Sequence, residues 1–292
     1  MFSGVITALV TPFKDGVLDE DAFRNIIDHQ FANGVSGVVP CGTTGESPTL
    51  SYDEHKRVVE MAVEFTARRG LVIAGTGANS VDEAVELTQA AEQAGADASL
   101  QVAPYYNKPS QEGVFQHFCK IAESTRLPIM LYSIPGRCGI EIGVETTARL
   151  HRTCPNIVAI KEAGGTPERV SQLLEACGPT LEVLSGDDSL TLPFMSVGAV
   201  GVVSVASNLI PNVMSELVAK ALAGDFSGAR KLHQRYYRLF AAFLKLDVNP
   251  VPIKTAMALR GWCELELRLP LVEMPIEKKG DLKNTLHELG IL

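Results

Sequence analysis

Asn156-Ile157-Val158-Ala159-Ile160-Lys161-Glu162-Ala163-Gly164-Gly165 places an ammonium at the end of an apolar, β-branched run and follows it with a glycine pair. A strand apolar on successive rather than alternate residues reads as buried on both faces, as in a parallel sheet covered by helices. In such sheets the reacting groups gather at strand carboxyl ends. A lysine desolvated there tends to lose its proton, and the neutral amine attacks a carbonyl carbon to form a Schiff base. The alternative is an exposed lysine that opens a loop. The segment alone leaves both readings open.

Outward from this segment, short apolar runs recur at 5–10, 37–41, 71–74, 98–103, 128–134, 157–161, 181–185 and 200–205, with helical patterns between them. Most are preceded by a helix-stop signal, among them Asn33-Gly34, Arg69-Gly70, Ala94-Gly95, Leu127-Pro128 and Cys177-Gly178. Helix starts are equally legible. Ser51-Tyr52-Asp53-Glu54 and Ser80-Val81-Asp82-Glu83 both fit the S-x-x-E capping box, and Thr166-Pro167 offers an N-cap with proline at the first helical position. Eight strand-helix units predict an α/β fold of the (β/α)8 TIM-barrel class rather than an open doubly wound sheet with a dinucleotide fingerprint. After Gly224-Asp225 the pattern turns to helices only, at 226–246, 251–261 and 280–289. The expected organisation is a catalytic barrel over 1–224 and a C-terminal helical appendage over 225–292, with Asn249-Pro250-Val251-Pro252 as a rigid joint inside it.

Composition narrows the function. The 292 residues are 46% hydrophobic and 21% charged, with a formal net charge of -8. No basic cluster exceeds Arg68-Arg69 or Lys278-Lys279, which argues against nucleic acid as partner. Met1-Phe2-Ser3-Gly4-Val5 lacks a basic segment leading into an apolar one, and no apolar run reaches spanning length, so no membrane partner and a cytoplasmic location are expected. The six cysteines form no C-x-x-C, and the six histidines show no metal-ligand spacing. Neither a metal nor another cofactor is expected.

Four candidate segments join Lys161 at the barrel mouth. Gly42-Thr43-Thr44-Gly45-Glu46-Ser47 follows the second strand, and its glycines and paired hydroxyls suit a small carboxylate, the alternative being a loop that Glu46 and Ser47 merely brace. The fourth strand ends in Pro104-Tyr105-Tyr106-Asn107-Lys108-Pro109, whose tyrosines alone read more readily as packing. The fifth supplies Tyr132 and, after Ser133-Ile134-Pro135-Gly136, Arg137. Strand parity leaves Tyr132 pointing either inward or outward; inward, its phenol would lie close enough to Lys161 to pass protons. Arg137 reads either as a bidentate carboxylate clamp or as half of a surface ion pair. Asp187-Asp188 after the seventh strand is explained by helix capping. The glycine cluster of a barrel phosphate site is missing after the eighth strand, so an unphosphorylated substrate is expected.

Gly42 to Ser47, Ala74-Gly75-Thr76-Gly77-Ala78-Asn79, the Tyr105-Tyr106 loop, Tyr132 to Arg137, Ile160-Lys161-Glu162-Ala163 and Asn249-Pro250-Val251-Pro252 together resemble the dihydrodipicolinate synthase family, from Phe2 to Leu292. The resemblance implies a lyase that condenses pyruvate with L-aspartate 4-semialdehyde in the diaminopimelate and lysine pathway. By that analogy Lys161 forms the imine, Tyr132 carries protons, Thr43 relays them, and Tyr106 completes the relay from a neighbouring subunit of a homotetramer built as a dimer of dimers. Thr43 and Thr44 would hold the pyruvate carboxylate and Arg137 that of the semialdehyde, while Gly186 and Val203 would line the surroundings of the lysine. The resemblance also implies an L-lysine effector site at Ser47, Pro48, Tyr52, His55, Asn79, Glu83 and Tyr105, although Glu83 also fits a capping box with Ser80. Ser133, Ile134 and Cys138 depart from the residues common in that family, as do Pro48 and Tyr52 from those of lysine-sensitive members, which bears on pocket shape. Related lyases acting on N-acetylneuraminate, 2-keto-3-deoxy sugar acids or 4-hydroxy-2-oxoglutarate share the lysine and tyrosine. A catalytically silent barrel binding keto acids is the remaining alternative.

Overall fold

The computed structural model describes residues 1–292. Eight strands, β1 (Gly4–Ala8), β2 (Gly37–Val39), β3 (Leu71–Gly75), β4 (Ala98–Val102), β5 (Ile129–Ser133), β6 (Ile157–Glu162), β7 (Glu182–Ser185) and β8 (Gly201–Ser204), close into one barrel in sequence order, with β8 pairing back onto β1. All eight pairings are parallel. Helices α1 (Glu20–Ala32), α2 (Tyr52–Thr66), α3 (Val81–Ala94), α4 (Gln111–Glu123), α5 (Val144–Thr153), α6 (Pro167–Cys177), α7 (Thr191–Met195) and α8 (Pro211–Leu222) form the connections, with one extra helical turn at Pro135–Cys138. The expected TIM barrel is therefore present. No helix is long and apolar enough to cross a membrane.

The continuous apolar strand runs have the cause inferred for them, because both strand faces are covered. One set of alternate residues, Ile6, Ala8, Val39, Ile73, Leu100, Met130, Tyr132, Ala159, Leu184 and Val203, fills the barrel interior above Phe2. The other set, including Val5, Val38, Val72, Leu131, Ile160, Val183 and Val202, packs beneath the helices. Phe2 is fully buried at the amino-terminal floor, where Glu182 at the start of β7 accepts from its backbone N–H. The register sets Tyr132 beside Lys161 across β5 and β6. Tyr132 thus faces inward, which strand parity had left open.

Three helices follow the barrel: α9 (Phe226–Lys245), α10 (Val251–Leu259) and α11 (Ile276–Glu288). Leu239, Phe240, Phe243, Met257, Leu282 and Leu286 join the same hydrophobic cluster as the outer barrel shell. The appendage is therefore packed onto the barrel wall.

Two local details differ from the sequence reading. The Ser51 box forms, its Oγ accepting from Glu54 N at 3.2 Å and Glu54 accepting from Ser51 N at 2.9 Å. Ser80 makes no such bond at the start of α3, and the Glu83 carboxylate lies beside the Tyr52 phenol instead. An additional antiparallel hairpin pairs Phe13–Lys14 with Val17–Leu18, its turn formed by Asp15 and Gly16 at φ 53° and 82°. Positive φ at both turn residues is the hairpin geometry that an Asp-Gly dipeptide favours.

Candidate active site

The interior residues of β5 and β6 carry the chemistry. Lys161 stands two residues beyond the inward-facing Ala159, so it too faces the interior, and it is only 6% exposed. Its Nζ lies 4.1 Å from the centroid of the Tyr132 ring, and no carboxylate comes within ion-pair distance of it. Burial lowers its pKa to about 7; the positive Arg137 pushes the same way, and the charge of Asp188 opposes both. An amine poised near neutral pH reacts as a nucleophile, which an ordinary lysine at 10.5 does not.

Tyr132 shifts in the opposite sense. Burial drives its phenol well above the usual tyrosine value, while Arg137 and the Thr43 hydroxyl favour the ionised form less strongly. At neutral pH the phenol keeps its proton next to an amine that gives one up. Such a pair divides acid and base roles between neighbours.

Gly186 approaches the other flank of the lysine. A Cβ there would meet the Lys161 Cε at 3.2 Å and the Ala163 Cβ at 2.8 Å, so the loop after β7 closes on the lysine stem only as glycine. Val203 on β8 is fully buried in the interior layer. Of the acids beside Gly186, Asp187 caps the following turn as expected, whereas Asp188 instead anchors the loop after β8. Asp187 accepts from Ser189 N at 2.7 Å, and Asp188 accepts from Ser204 Oγ at 2.5 Å and from the N–H groups of Val205 and Ala206 at 3.1 and 2.8 Å. Burial raises Asp188 to about 6 in spite of these donors.

The carboxylate-binding candidates converge from two sides. Thr44 is buried, and its Oγ1 accepts from Asn249 Nδ2 at 3.1 Å, which leaves the threonine proton free to donate elsewhere. Arg137, on the helical turn after β5, donates from Nη2 to the Asn249 carbonyl at 3.2 Å and forms no salt bridge, which removes the surface ion-pair reading. Sequence reasoning had read Asn249 only as part of a joint; no local signal marks it as a bridge between Thr44 and Arg137. Thr43, Tyr132 and Arg137 line one cavity of about 270 Å³.

Ser47, Pro48, Tyr52, His55, Glu83 and Tyr105 line that same cavity. Asn79 is not part of that lining but donates to the Tyr105 carbonyl at 3.2 Å. The His55 Nε2 pairs with the Gly75 carbonyl at 2.9 Å, and burial lowers its pKa. Tyr106 is not brought to the lysine: it is 88% exposed, holds φ at 72°, and lies outside the cavity lining.

This geometry can be set beside known proteins. The family model described as the dihydrodipicolinate synthetase family matches residues 1–289. The chain belongs to that family. It is 50% identical, over the whole of both chains, to a 4-hydroxy-tetrahydrodipicolinate synthase of Persephonella marina. Among solved structures, the 4-hydroxy-tetrahydrodipicolinate synthase of Methylacidiphilum fumariolicum is 52% identical with a TM-score of 0.98, covering 99% of this chain and 96% of that one. A dihydrodipicolinate synthase of Acinetobacter baumannii complexed with pyruvate is 41% identical (TM-score 0.97, all of both chains). One from Cyanidioschyzon merolae with lysine bound is 42% identical (TM-score 0.96, 100% of this chain and 99% of that one).

The Lys161 shift fixes a pH dependence of stability for this family member. Between about pH 7 and 10.5 the unfolded chain retains a proton that the folded chain has released, so folding grows more favourable as pH rises through that window. Wild type should therefore gain stability relative to Lys161→Met from pH 7 to 10, by at most about 1.4 kcal/mol per pH unit. Urea unfolding of both proteins at several pH values measures it, and a difference independent of pH would contradict the shift.

Proposed function

We propose that the chain has 4-hydroxy-tetrahydrodipicolinate synthase activity in the cytoplasm, condensing pyruvate with L-aspartate 4-semialdehyde as part of diaminopimelate and lysine biosynthesis. The observation that carries this reading is the buried Lys161 amine, poised near pH 7 against the ring of a protonated Tyr132. The neutral amine adds to the ketone of pyruvate, and loss of water gives the imine, whose positive nitrogen takes electrons as the methyl proton leaves. The resulting enamine attacks the aldehyde carbon. The second substrate's own amine then displaces Lys161 as the ring closes, returning the lysine for another turnover.

In this scheme Tyr132 moves protons with Thr43, whose hydroxyl influences the phenol directly. The Thr43 and Thr44 donors hold the pyruvate carboxylate, and Arg137, free of any carboxylate partner in the chain, holds that of the semialdehyde. Gly186 and Val203 shape the space beside the lysine. Tyr106 joins the relay from a second copy of the chain within a homotetramer; its exposure and left-handed backbone support an outward reach. The cavity wall formed by Ser47, Pro48, Tyr52, His55, Glu83 and Tyr105, with Asn79 bonded to the Tyr105 carbonyl, takes L-lysine as an effector. Glu83 is the group to meet the ligand's ammonium. The continuity of this wall with Tyr132 and Arg137 supports a coupling between the two ligands.

Incubation with pyruvate and borohydride should leave one reduced adduct per chain at Lys161, mapped by peptide mass spectrometry. With a panel of aldehydes, pyruvate consumption should be fastest with aspartate semialdehyde; preference for a sugar-derived aldehyde would assign the chain to the related lyases. No adduct at Lys161 would exclude the mechanism.

Tyr132→Phe should lower kcat by roughly two to four powers of ten while the protein stays folded, the usual worth of a general acid-base group. Nearly normal turnover would reduce the phenol to a packing role.

L-lysine should bind in calorimetry and inhibit turnover, and Glu83→Ala should abolish both responses. Binding undiminished in that variant would place the effector elsewhere, and no binding at all to wild type would leave this wall as plain structure.

A further inference from the structure

An ion pair that the reaction leaves unused lies beneath the carboxylate loop. The side chains of Lys254 on α10 and Glu46 are both 0% exposed, with Nζ 2.6 Å from Oε1. Nζ also donates to the Thr11 carbonyl at 3.0 Å and the Glu266 carbonyl at 2.6 Å, and sits 4.4 Å from the centre of the Phe13 ring. The second Glu46 oxygen accepts from Arg268 N at 3.1 Å. A fully buried pair stabilises poorly relative to an apolar pair of the same volume, so what this pair holds in place matters more than its contribution to stability.

What it holds is the turn that carries the two threonines. Glu46 adopts φ 56°, a left-handed conformation unfavourable for a side-chain-bearing residue unless its surroundings impose it. Its N–H donates to the Thr43 carbonyl at 3.1 Å, its own carbonyl accepts from Thr49 Oγ1 at 3.0 Å, and the preceding Gly45 carbonyl accepts from Thr11 Oγ1 at 2.7 Å. The same C-terminal segment reaches the loop a second time, through Asn249 to Thr44. Both grips come from residues more than 200 positions away in sequence.

We propose that Lys254 is a positioning residue for the keto-acid carboxylate: acting through Glu46, it imposes the left-handed turn that presents Thr43 at the cavity wall and fixes the buried Thr44 beside it. The proposal rests on the synthase reading given above for its substrate. It makes the C-terminal helices part of the binding site rather than a cover for the barrel wall.

Lys254→Met alone strands the Glu46 charge in the interior and can unfold the protein for that reason, so the decisive variant combines Lys254→Met with Glu46→Gln. This pair removes both charges and keeps the volume and the Arg268 contact. The readout is the pyruvate concentration that half-saturates borohydride labelling of Lys161, which requires no turnover. In the folded double variant it should rise about tenfold or more, the worth of one charge-assisted hydrogen bond to the carboxylate, while saturating pyruvate restores full labelling. The KM for the semialdehyde should stay within about twofold. A folded double variant whose half-saturation stays within about threefold of wild type overturns the proposal, as does an equal rise in both substrates' constants. Wild-type protein that takes no label at all refutes the synthase reading instead, so the two failures are distinguishable.

Discussion

The structure turns on the burial of the Lys161 amine at the barrel mouth. An ammonium held there without a contacting carboxylate loses its preference for the charged state, and the same burial keeps the Tyr132 phenol protonated. One environment therefore shifts two neighbouring groups in opposite directions and yields a nucleophile and an acid side by side. Asp188 limits how far the lysine moves: near enough to be felt electrostatically, it spends its own hydrogen bonds on Ser204, Val205 and Ala206.

Buried polar contacts fasten the loops on the carboxyl side of the barrel. Glu162, directly after the lysine, is fully buried and accepts from Arg169 Nε at 3.0 Å, while Arg169 also reaches the Ile142 carbonyl on the loop after β5. Asp188 ties the loops after β7 and β8 together, and Glu46 and Asn249 fasten the threonine loop to the C-terminal helices. At the opposite end Phe2, Ile6 and Ala98 pack as an apolar floor, tied at its edge by Glu182 accepting from the Phe2 N–H. Barrels commonly separate stability at the floor from chemistry at the mouth in this way, since loops there can vary without disturbing the strand layers.

Much of the fold was legible from the chain because its signals are short-ranged. Doubly buried strands give unbroken apolar runs, helix ends give glycine and capping residues, and eight repeats of that alternation leave few architectures. The limits of local signals show in the same elements. Ser51 and Ser80 open identical S-x-x-E patterns, yet only Ser51 forms the box; the Ser80 side chain makes no cap bond, and the Glu83 carboxylate lies beside Tyr52. The Asp15-Gly16 hairpin carried a readable turn signal, but two-residue strands give no periodicity to support it.

For the site, the sequence by itself determined which side chains are available: a lysine ending a buried strand, a hydroxyl-rich glycine loop, a tyrosine and an arginine on the neighbouring unit. Only the tertiary structure decided their relations. Closure of the barrel fixed the register that turns Tyr132 toward Lys161, and the fold left Arg137 without a carboxylate partner while joining it to Thr44 through Asn249. It also paired Glu46 with Lys254, which stand 208 residues apart. Strand parity, desolvation and long-range pairing depend on what packs against a residue from elsewhere in the chain, and no window of sequence contains that information.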